Sequence, residues 1–371
     1  MSFLTYCRVL RCEVSKYARF YRKCNYNNAA VCQMESRSIS MAFASKESFP
    51  KINISSHSYK QNKKRTRIQF MLSAGLFFGL LDFLKNPQDE EDIPDLIMTL
   101  KRSILLIQRG EYQKAEQMLH VALNQAQLLQ SYDGITYTYD VMANLAFDTK
   151  QYKKAEKLFV SVLQRLIANG VSQDDLKVIH ISLKMAKLFE ETKDFKKAEE
   201  GFHFCLNGLQ NLLAKDNENV DAFALLGMTL DWYAHMLMSQ SKYTEAQKHL
   251  QEAYNICLKL NGEEHYQTVT LLNDLGTLYY MMGQYEIAFE HLMKAVKFGK
   301  KLSDMPEYGS VHVNLGNVFL KKGMIEKARQ ACERGQNIGK SREDEATVSE
   351  AKKCLQQIEK YLSMEKQKEE R

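Results

Sequence analysis

The clearest structural signal in this 371-residue chain lies at residues 271–299, which read LLNDLGTLYYMMGQYEIAFEHLMKAVKFG. Residues 311–339 follow with VHVNLGNVFLKKGMIEKARQACERGQNIG. In both segments an apolar helical pattern leads to a glycine, Gly283 or Gly323, and a second helical pattern then opens with an apolar residue and places an alanine five positions after the glycine. Each segment therefore predicts a helix, a tight turn and a second helix.

The same pattern occurs six times between residues 95 and 340. The alanines of the second helices are spaced by 40, 43, 48, 42 and 40 residues; they are Ala115, Ala155, Ala198, Ala246, Ala288 and Ala328. Small first-helix residues, such as Gly276 opposite Ala288, let the two axes of a pair approach to about 8 Å. The pattern resembles the tetratricopeptide repeat, whose standard unit is about 34 residues, and the longer units are similar to those of kinesin light chains. The sequence thus predicts an all-α solenoid of about six helix pairs with units of about 40 residues.

The composition agrees with this fold class. Only 17 Gly and 4 Pro occur in the chain, too few for the frequent tight turns of a β-sandwich or propeller. With 45% hydrophobic and 26% charged residues, the composition matches neither a disordered chain nor a membrane protein with several spanning helices. Residues 341–371 read as a C-terminal capping helix with a charged tail.

The net charge of +6 is distributed very unevenly. Residues 1–67 hold 14 Lys and Arg against three acids, so the rest of the chain holds 37 basic against 42 acidic residues. An acidic body offers no basic stripe for a phosphate backbone, and we expect no nucleic-acid partner. The basic segment 1–67 is predicted to be a mitochondrial transit segment, with a disordered basic tail as the alternative.

A strongly apolar segment, IQFMLSAGLFFGLLDFL, occupies residues 68–84. A spanning helix needs about 20 apolar residues, and roughly 17 is the lower bound. Cations precede the segment in KKRTR and acids follow it in KNPQDEED, as in an anchor that keeps its N-terminal side in the matrix. We predict a membrane segment here, with the body facing the intermembrane space; a buried or interfacial helix is the alternative.

No residue pattern in the chain predicts catalysis. The P-loop, GxGxxG, HExxH and GxSxG motifs are all missing from the sequence. None of the eight cysteines forms a CxxC pair or a zinc-like spacing, and Cys205 and Cys332 occupy small, buried helix positions that predict packing. His249 and His291 are expected on solvated helix faces. We predict a protein that is not an enzyme and has no catalytic residue, metal or cofactor.

The groove formed by the first helices is then the predicted binding surface. In the second repeat the register turns one stripe of side chains toward it, at i, i+3, i+7 and i+10 spacing. The candidate peptide-groove residues are Tyr137, Asp140, Asn144, Phe147, Asn273, Thr277 and Asn317. A carboxylate clamp is not expected, because no Lys stands four residues before these Asn residues. The polar break at 214–222 is expected to be a surface loop, with a hinge or partner site as the alternative.

Some segments resemble one family of repeat proteins more closely than they resemble the general repeat pattern. Residues 134–159, GITYTYDVMANLAFDTKQYKKAEKLF, together with LLGMTLD (225–231) and NGEEHYQTVTLLNDLGT (261–277), closely resemble the mitochondrial tetratricopeptide repeat protein 19 family over roughly residues 95–340. The resemblance implies a non-enzymatic inner-membrane protein that binds respiratory complex III, supports its assembly and maintenance, and helps clear fragments of the Rieske iron-sulfur subunit. A cytosolic peptide-binding scaffold or adaptor of the kinesin-light-chain type is the competing interpretation.

Overall fold

A computed structural model of the protein describes residues 93–369 except 303, 304 and 306. The predicted transit segment at 1–67 and the predicted membrane segment at 68–84 lie outside these residues. Within the described part the fold is all-α, with thirteen helices and no strands, as predicted. None of those thirteen helices combines the length and hydropathy that crossing a bilayer requires.

The helices form six antiparallel pairs and a final single helix. Their bounds are α1 Ile93–Gln108, α2 Tyr112–Leu128, α3 Tyr132–Asp148, α4 Tyr152–Ala168, α5 Leu176–Glu191, α6 Phe195–Lys215, α7 Val220–Ser239, α8 Tyr243–Asn261, α9 Tyr266–Met281, α10 Tyr285–Gly299, α11 Tyr308–Lys321, α12 Ile325–Ser341 and α13 Glu345–Glu369. Odd-numbered helices from α1 to α11 are the first helices of their pairs. The expected surface loop at 214–222 is present and shorter, at 216–219, because α6 continues to Lys215 and α7 begins at Val220.

Each pair turns at a residue with left-handed backbone geometry, placed five positions before the repeat alanine. These residues are Gly110, Lys150, Lys193, Ser241, Gly283 and Gly323, with φ between 61° and 76°. Glycine adopts this conformation without steric cost, whereas the three other residues accept a strained backbone to make the same turn. The equal offset in all six pairs shows that one turn geometry is repeated along the solenoid.

The predicted helix crossings are close-packed. All six repeat alanines are fully buried. A Cβ added to Gly276 would lie 2.5 Å from Leu292 Cγ and 3.3 Å from the carbonyl oxygen of Ala288. No side chain fits at position 276, so the small residue is required by the approach of α9 to α10.

The capping helix α13 closes the C-terminal end of the core. Ala351, Cys354 and Ile358 are buried against α11 and α12. A disulfide joins Cys332 of α12 to Cys354 of α13, so Cys332 does more than the packing that its position predicts. Cys205 and Cys257 are buried and form no disulfide within the described residues, and Cys205 Sγ donates to the backbone carbonyl of Ile179 at 3.5 Å.

Candidate functional site

A cavity of about 820 Å³ lies between the first helices α7, α9 and α11, the end of α8 and the capping helix α13. We call this cavity the C-terminal groove. Three of the predicted groove residues, Asn273, Thr277 and Asn317, line it. The helix pairing explains their convergence, because each comes from the inward face of a first helix in repeats five and six.

Amide and hydroxyl groups form a connected row across the wall of this groove. Asn314 Nδ2 donates to Asn273 Oδ1 at 2.9 Å and to Thr277 Oγ1 at 3.2 Å. Thr277 Oγ1 in turn donates to the backbone carbonyl of Asn273 at 2.9 Å. Sequence reasoning missed Asn314, although its position three residues before Asn317 places both on one helical face. Asn273 is buried, whereas Thr277 and Asn314 are half-buried, so the row reaches the cavity through Thr277 and Asn314.

An imidazole lies between two carboxylates deeper in the groove. His235 Nε2 is 3.0 Å from Asp274 Oδ2 and 3.1 Å from Asp231 Oδ1, and His235 is 3% exposed. Asp231 and His235 are four residues apart on α7, whereas Asp274 comes from α9. The three ligand atoms lie within 4.8 Å of one another, a donor set that suits either a shared proton or a divalent cation.

The lining of the C-terminal groove is acidic. Its carboxylates are Asp221, Asp231, Asp274, Glu307 and Glu350, and Lys353 is the one Lys or Arg among the described residues that line it. The pKa of Glu350 is raised to about 7, first by burial and then by the negative charge of Asp344, while the charge of Lys353 opposes the shift. A negative carboxylate at this position therefore gains from a nearby cation.

Apolar and aromatic side chains cover the rest of the groove. Val220, Tyr266 and Met281 line it with exposed fractions of 62%, 40% and 37%. Trp232 lies at the groove and is almost fully buried. Large exposed side chains beside a concave surface are typical of a protein interaction site.

The four second-repeat candidates lie away from the C-terminal groove. Tyr137, Asp140 and Asn144 are buried, and burial raises the pKa of Tyr137 well above its usual value, with the charge of Asp140 adding to the shift. Asn144 Nδ2 donates to Asp140 Oδ1 at 3.2 Å, within the interface between α3 and α5. Phe147 is half-buried and meets the ring of Tyr152 edge-on at 5.8 Å. In the structure, these four residues therefore take part in packing between helices.

The two histidines expected on solvated faces are half-buried. The His249 ring lies 4.9 Å from the Tyr233 ring, and the His291 ring stacks on Tyr279 at 5.3 Å. Burial lowers the pKa of both imidazoles. They are packing groups of the second helices.

Comparison with known proteins defines the class first. The family model described as "Tetratricopeptide repeat" matches residues 225–301, the segment that builds most of the C-terminal groove. The fold is similar to the apo form of RapI, with a TM-score of 0.54 and 15% identity, covering 81% of this chain and 86% of that one. It is also similar to aspartyl phosphate phosphatase F from Bacillus subtilis, with a TM-score of 0.52 and 15% identity, covering 85% of this chain and 86% of that one. The protein is a tetratricopeptide repeat solenoid.

Sequence relatives then narrow the class to one family. The chain is 39% identical over 301 residues to the Drosophila melanogaster homologue of mitochondrial tetratricopeptide repeat protein 19, covering 79% of this chain and 82% of the relative. It is 30% identical over 281 residues to the human mitochondrial protein of that name, covering 73% and 74% of the two chains. The chain belongs to the tetratricopeptide repeat protein 19 family and is a mitochondrial repeat protein.

Proposed function

We propose that this protein is a non-enzymatic protein of the mitochondrial inner membrane that binds respiratory complex III. In this role its body faces the intermembrane space, supports assembly and maintenance of the complex, and helps clear fragments of the Rieske iron-sulfur subunit. Support for the complex III role comes from the family resemblance in the repeat sequence. Support for a binding role comes from the groove.

One observation carries the binding role: the C-terminal groove combines an amide row with exposed aromatic and apolar side chains. Asn314 and Asn317, which are half-buried in the groove lining, offer polar atoms to a peptide backbone, and Tyr266 and Met281 offer anchoring surface beside them. Because Tyr137, Asp140, Asn144 and Phe147 do not line this cavity and Asp140 is paired with Lys184, we assign the peptide contact to the C-terminal groove rather than to the second repeat.

The Cys332–Cys354 disulfide bears on the competing cytosolic adaptor. Structural disulfides persist in oxidising compartments and are rare in the cytosol. A disulfide that fixes the capping helix therefore favours a non-cytosolic body. The basic segment 1–67 and the apolar segment 68–84 favour the same conclusion.

Co-purification from solubilised mitochondria tests the proposal. A tagged Tyr266→Ala/Asn314→Ala variant should recover at least tenfold less complex III than the wild type and should accumulate Rieske fragments on immunoblots. Tyr361→Ala is the matched control, since Tyr361 is also 40% exposed but lies outside the groove lining. Unchanged recovery by a double variant of normal helicity and import would refute groove-mediated binding.

A further inference from the structure

The first helix of the solenoid exposes a mixed apolar and basic face. Met98 and Leu105 of α1 are 47% and 44% exposed, and they lie two turns apart on one side of the helix. Lys101 and Arg102 lie between them and are exposed as well. We call these four residues the α1 end face.

The repeat register shows that a preceding repeat covers the same four positions elsewhere. In α1 they stand 17, 14, 13 and 10 residues before the repeat alanine, Ala115. The matching residues of α3 are Thr138, Val141, Met142 and Leu145, and all four are buried. The last three belong to the apolar cluster that α1 and α2 build. The matching positions of α5, α7 and α9 are buried too, so the α1 end face is the side of a repeat on which a covering layer normally packs.

The charge of the α1 end face indicates what kind of layer it accepts. Lys101 and Arg102 stand where α3 has the apolar residues Val141 and Met142. In the part of the chain that the structure describes, neither cation forms an ion pair. The face is basic although residues 68–371 hold 37 basic against 42 acidic residues. A covering layer must therefore supply negative charge at its surface and apolar material beneath it.

The chain that precedes α1 limits where this face can lie. The apolar segment 68–84 ends eight residues before Ile93, and eight extended residues reach at most about 28 Å. A bilayer that holds the segment therefore lies within reach of α1, whose 16 residues span about 24 Å. Acids occur at 89–92 and at Asp95, but Arg102 lies about 10 Å beyond Asp95 along the helix. The basic part of the face is thus separated from these acids.

We propose that the α1 end face docks on a phospholipid bilayer with anionic headgroups. Met98 and Leu105 enter the interface, and Lys101 and Arg102 lie against lipid phosphates, as on helices that bind membrane surfaces. This inference rests on the proposed function, in which the segment 68–84 anchors the chain in the inner membrane.

Other occupants match the charge of the face less well. The segment 68–84 contains a single acid, Asp82, so its packing on α1 would cover two cations with apolar surface. A second copy of the chain would place two further cations opposite the first two. Docking on lipid instead sets the solenoid on the membrane at its first repeat, with the C-terminal groove near its opposite end.

Quenching of tryptophan fluorescence by brominated lipid tests this docking. Full-length protein is reconstituted into nanodiscs of phosphatidylglycerol and phosphatidylcholine with brominated acyl chains, and the single native tryptophan, Trp232, supplies a buried baseline. Met98→Trp and Leu105→Trp each add a tryptophan on the α1 end face, and the added emission should fall about twofold or more relative to unbrominated discs. Met293→Trp is the matched control, because Met293 of α10 is 42% exposed, and its added emission should not fall.

Charge variants in the Leu105→Trp background test the role of the headgroups. Lys101→Glu/Arg102→Glu should abolish most of the quenching, and Lys101→Arg/Arg102→Lys should retain it. Lys294→Glu/Lys297→Glu changes the net charge equally at two exposed positions of α10 and should leave the quenching unchanged. Discs of phosphatidylcholine alone and added salt should each weaken the quenching of the parent variant. All substituted positions are exposed, and circular dichroism checks that the variants keep equal helicity.

The outcomes separate this inference from the proposed function. Unquenched tryptophans at 98 and 105, in protein that stays with the discs, would overturn the docking and leave the membrane anchor standing. Aqueous iodide would then show whether the face is open to solvent or covered by another part of the protein. Quenching that is equal in neutral discs and indifferent to charge reversal would overturn the headgroup contact. Protein that leaves the discs and is extracted from mitochondria by alkali would refute the anchor of the proposed function, and the docking with it.

Discussion

Lys184 of α5 places its Nζ 2.9 Å from Oδ1 and 3.1 Å from Oδ2 of Asp140 on α3, with 1% of the lysine side chain exposed. The amide of Asn144 donates to the same Oδ1 at 3.2 Å. Two charges that belong to successive repeats are therefore buried together at the interface between the repeats. Removing one of them leaves the other buried without its counter-charge.

The first prediction concerns this ion pair. Asp140→Ala should lower the free energy of unfolding by about 3–5 kcal/mol, because it isolates the Lys184 ammonium. Replacing both partners with apolar residues, as Asp140→Leu/Lys184→Met, should recover most of the loss. Asp133→Ala, in an exposed position of the same helix, is the control and should cost under about 1 kcal/mol. Urea denaturation measures all four proteins; equal losses for Asp140→Ala and Asp133→Ala would contradict the buried pairing.

The second prediction concerns the repeat register. Ala288 is fully buried where α10 crosses Gly276 of α9, so Ala288→Leu should overpack the crossing at a cost of about 1–3 kcal/mol. Lys294→Leu changes an exposed position of the same helix and should shift the melting temperature little. Similar melting shifts for the two variants would show that the crossing lies elsewhere on α10.

The third prediction concerns Asp148, at the end of α3. Burial raises its pKa to about 7, against the opposing charge of Lys184. The folded state therefore holds this proton more tightly than the unfolded chain, whose carboxyl titrates near 3.8. Its contribution to stability is complete below about pH 4 and is lost as the pH rises through about 7.

Asp148→Asn removes that titration. The variant should exceed the wild type in unfolding free energy at pH 8 by on the order of 1–2 kcal/mol, and the difference should shrink toward pH 4. Asp133→Asn provides the control for an exposed carboxyl of the same helix. Urea titrations at pH 4.5, 6 and 8 give the comparison; a constant difference across this range would mean that Asp148 keeps its ordinary pKa.

The repeat architecture was predictable because its determinants are local in sequence. Gly283 and the alanine five residues later fall within one helix pair, so periodicity alone reveals the turn and the crossing. Turns at Lys150, Lys193 and Ser241 carry no glycine signal, and only the phase of the neighbouring alanines located them. The expected surface loop at 214–222 is confirmed at 216–219 and is shorter than predicted, because polar residues can extend a helix on its solvent face, as α6 does to Lys215.

The sequence could not predict which candidate residues line the cavity and which are buried between helices, because this depends on contacts between repeats. Within its own repeat, Asp140 is a polar residue of the kind expected at a groove. It is buried because Lys184, which lies 44 residues away in sequence, packs against it. The partners His235 and Asp274 are 39 residues apart. Helical periodicity gives the face of a helix on which a residue lies, but a second chain segment decides whether that face is open or filled.

The fourth prediction concerns the disulfide between α12 and α13. Closing this loop should contribute about 3 kcal/mol, so a reductant should lower the melting temperature of the wild type. Cys354→Ser should show the lowered melting temperature already and should respond no further to reductant. Thiol labelling of the unfolded, unreduced wild type should modify Cys205 and Cys257 and spare Cys332 and Cys354. Labelling of all four would contradict the bond.

The last prediction concerns membrane topology. The cations of KKRTR at 63–67 precede the apolar segment 68–84, and acids follow it at 89–92. Positive flanks remain on the side from which insertion occurs, so we expect the matrix side to hold the N-terminal flank and the intermembrane space to hold the repeats. Protease should spare the repeats in intact mitochondria and digest them once the outer membrane is ruptured, while a matrix marker stays protected. Replacing KKRTR with QQQTQ should reduce the fraction digested, because that fraction depends on the charge asymmetry. Repeats that resist protease until detergent dissolves the inner membrane would place the body in the matrix and defeat this topology.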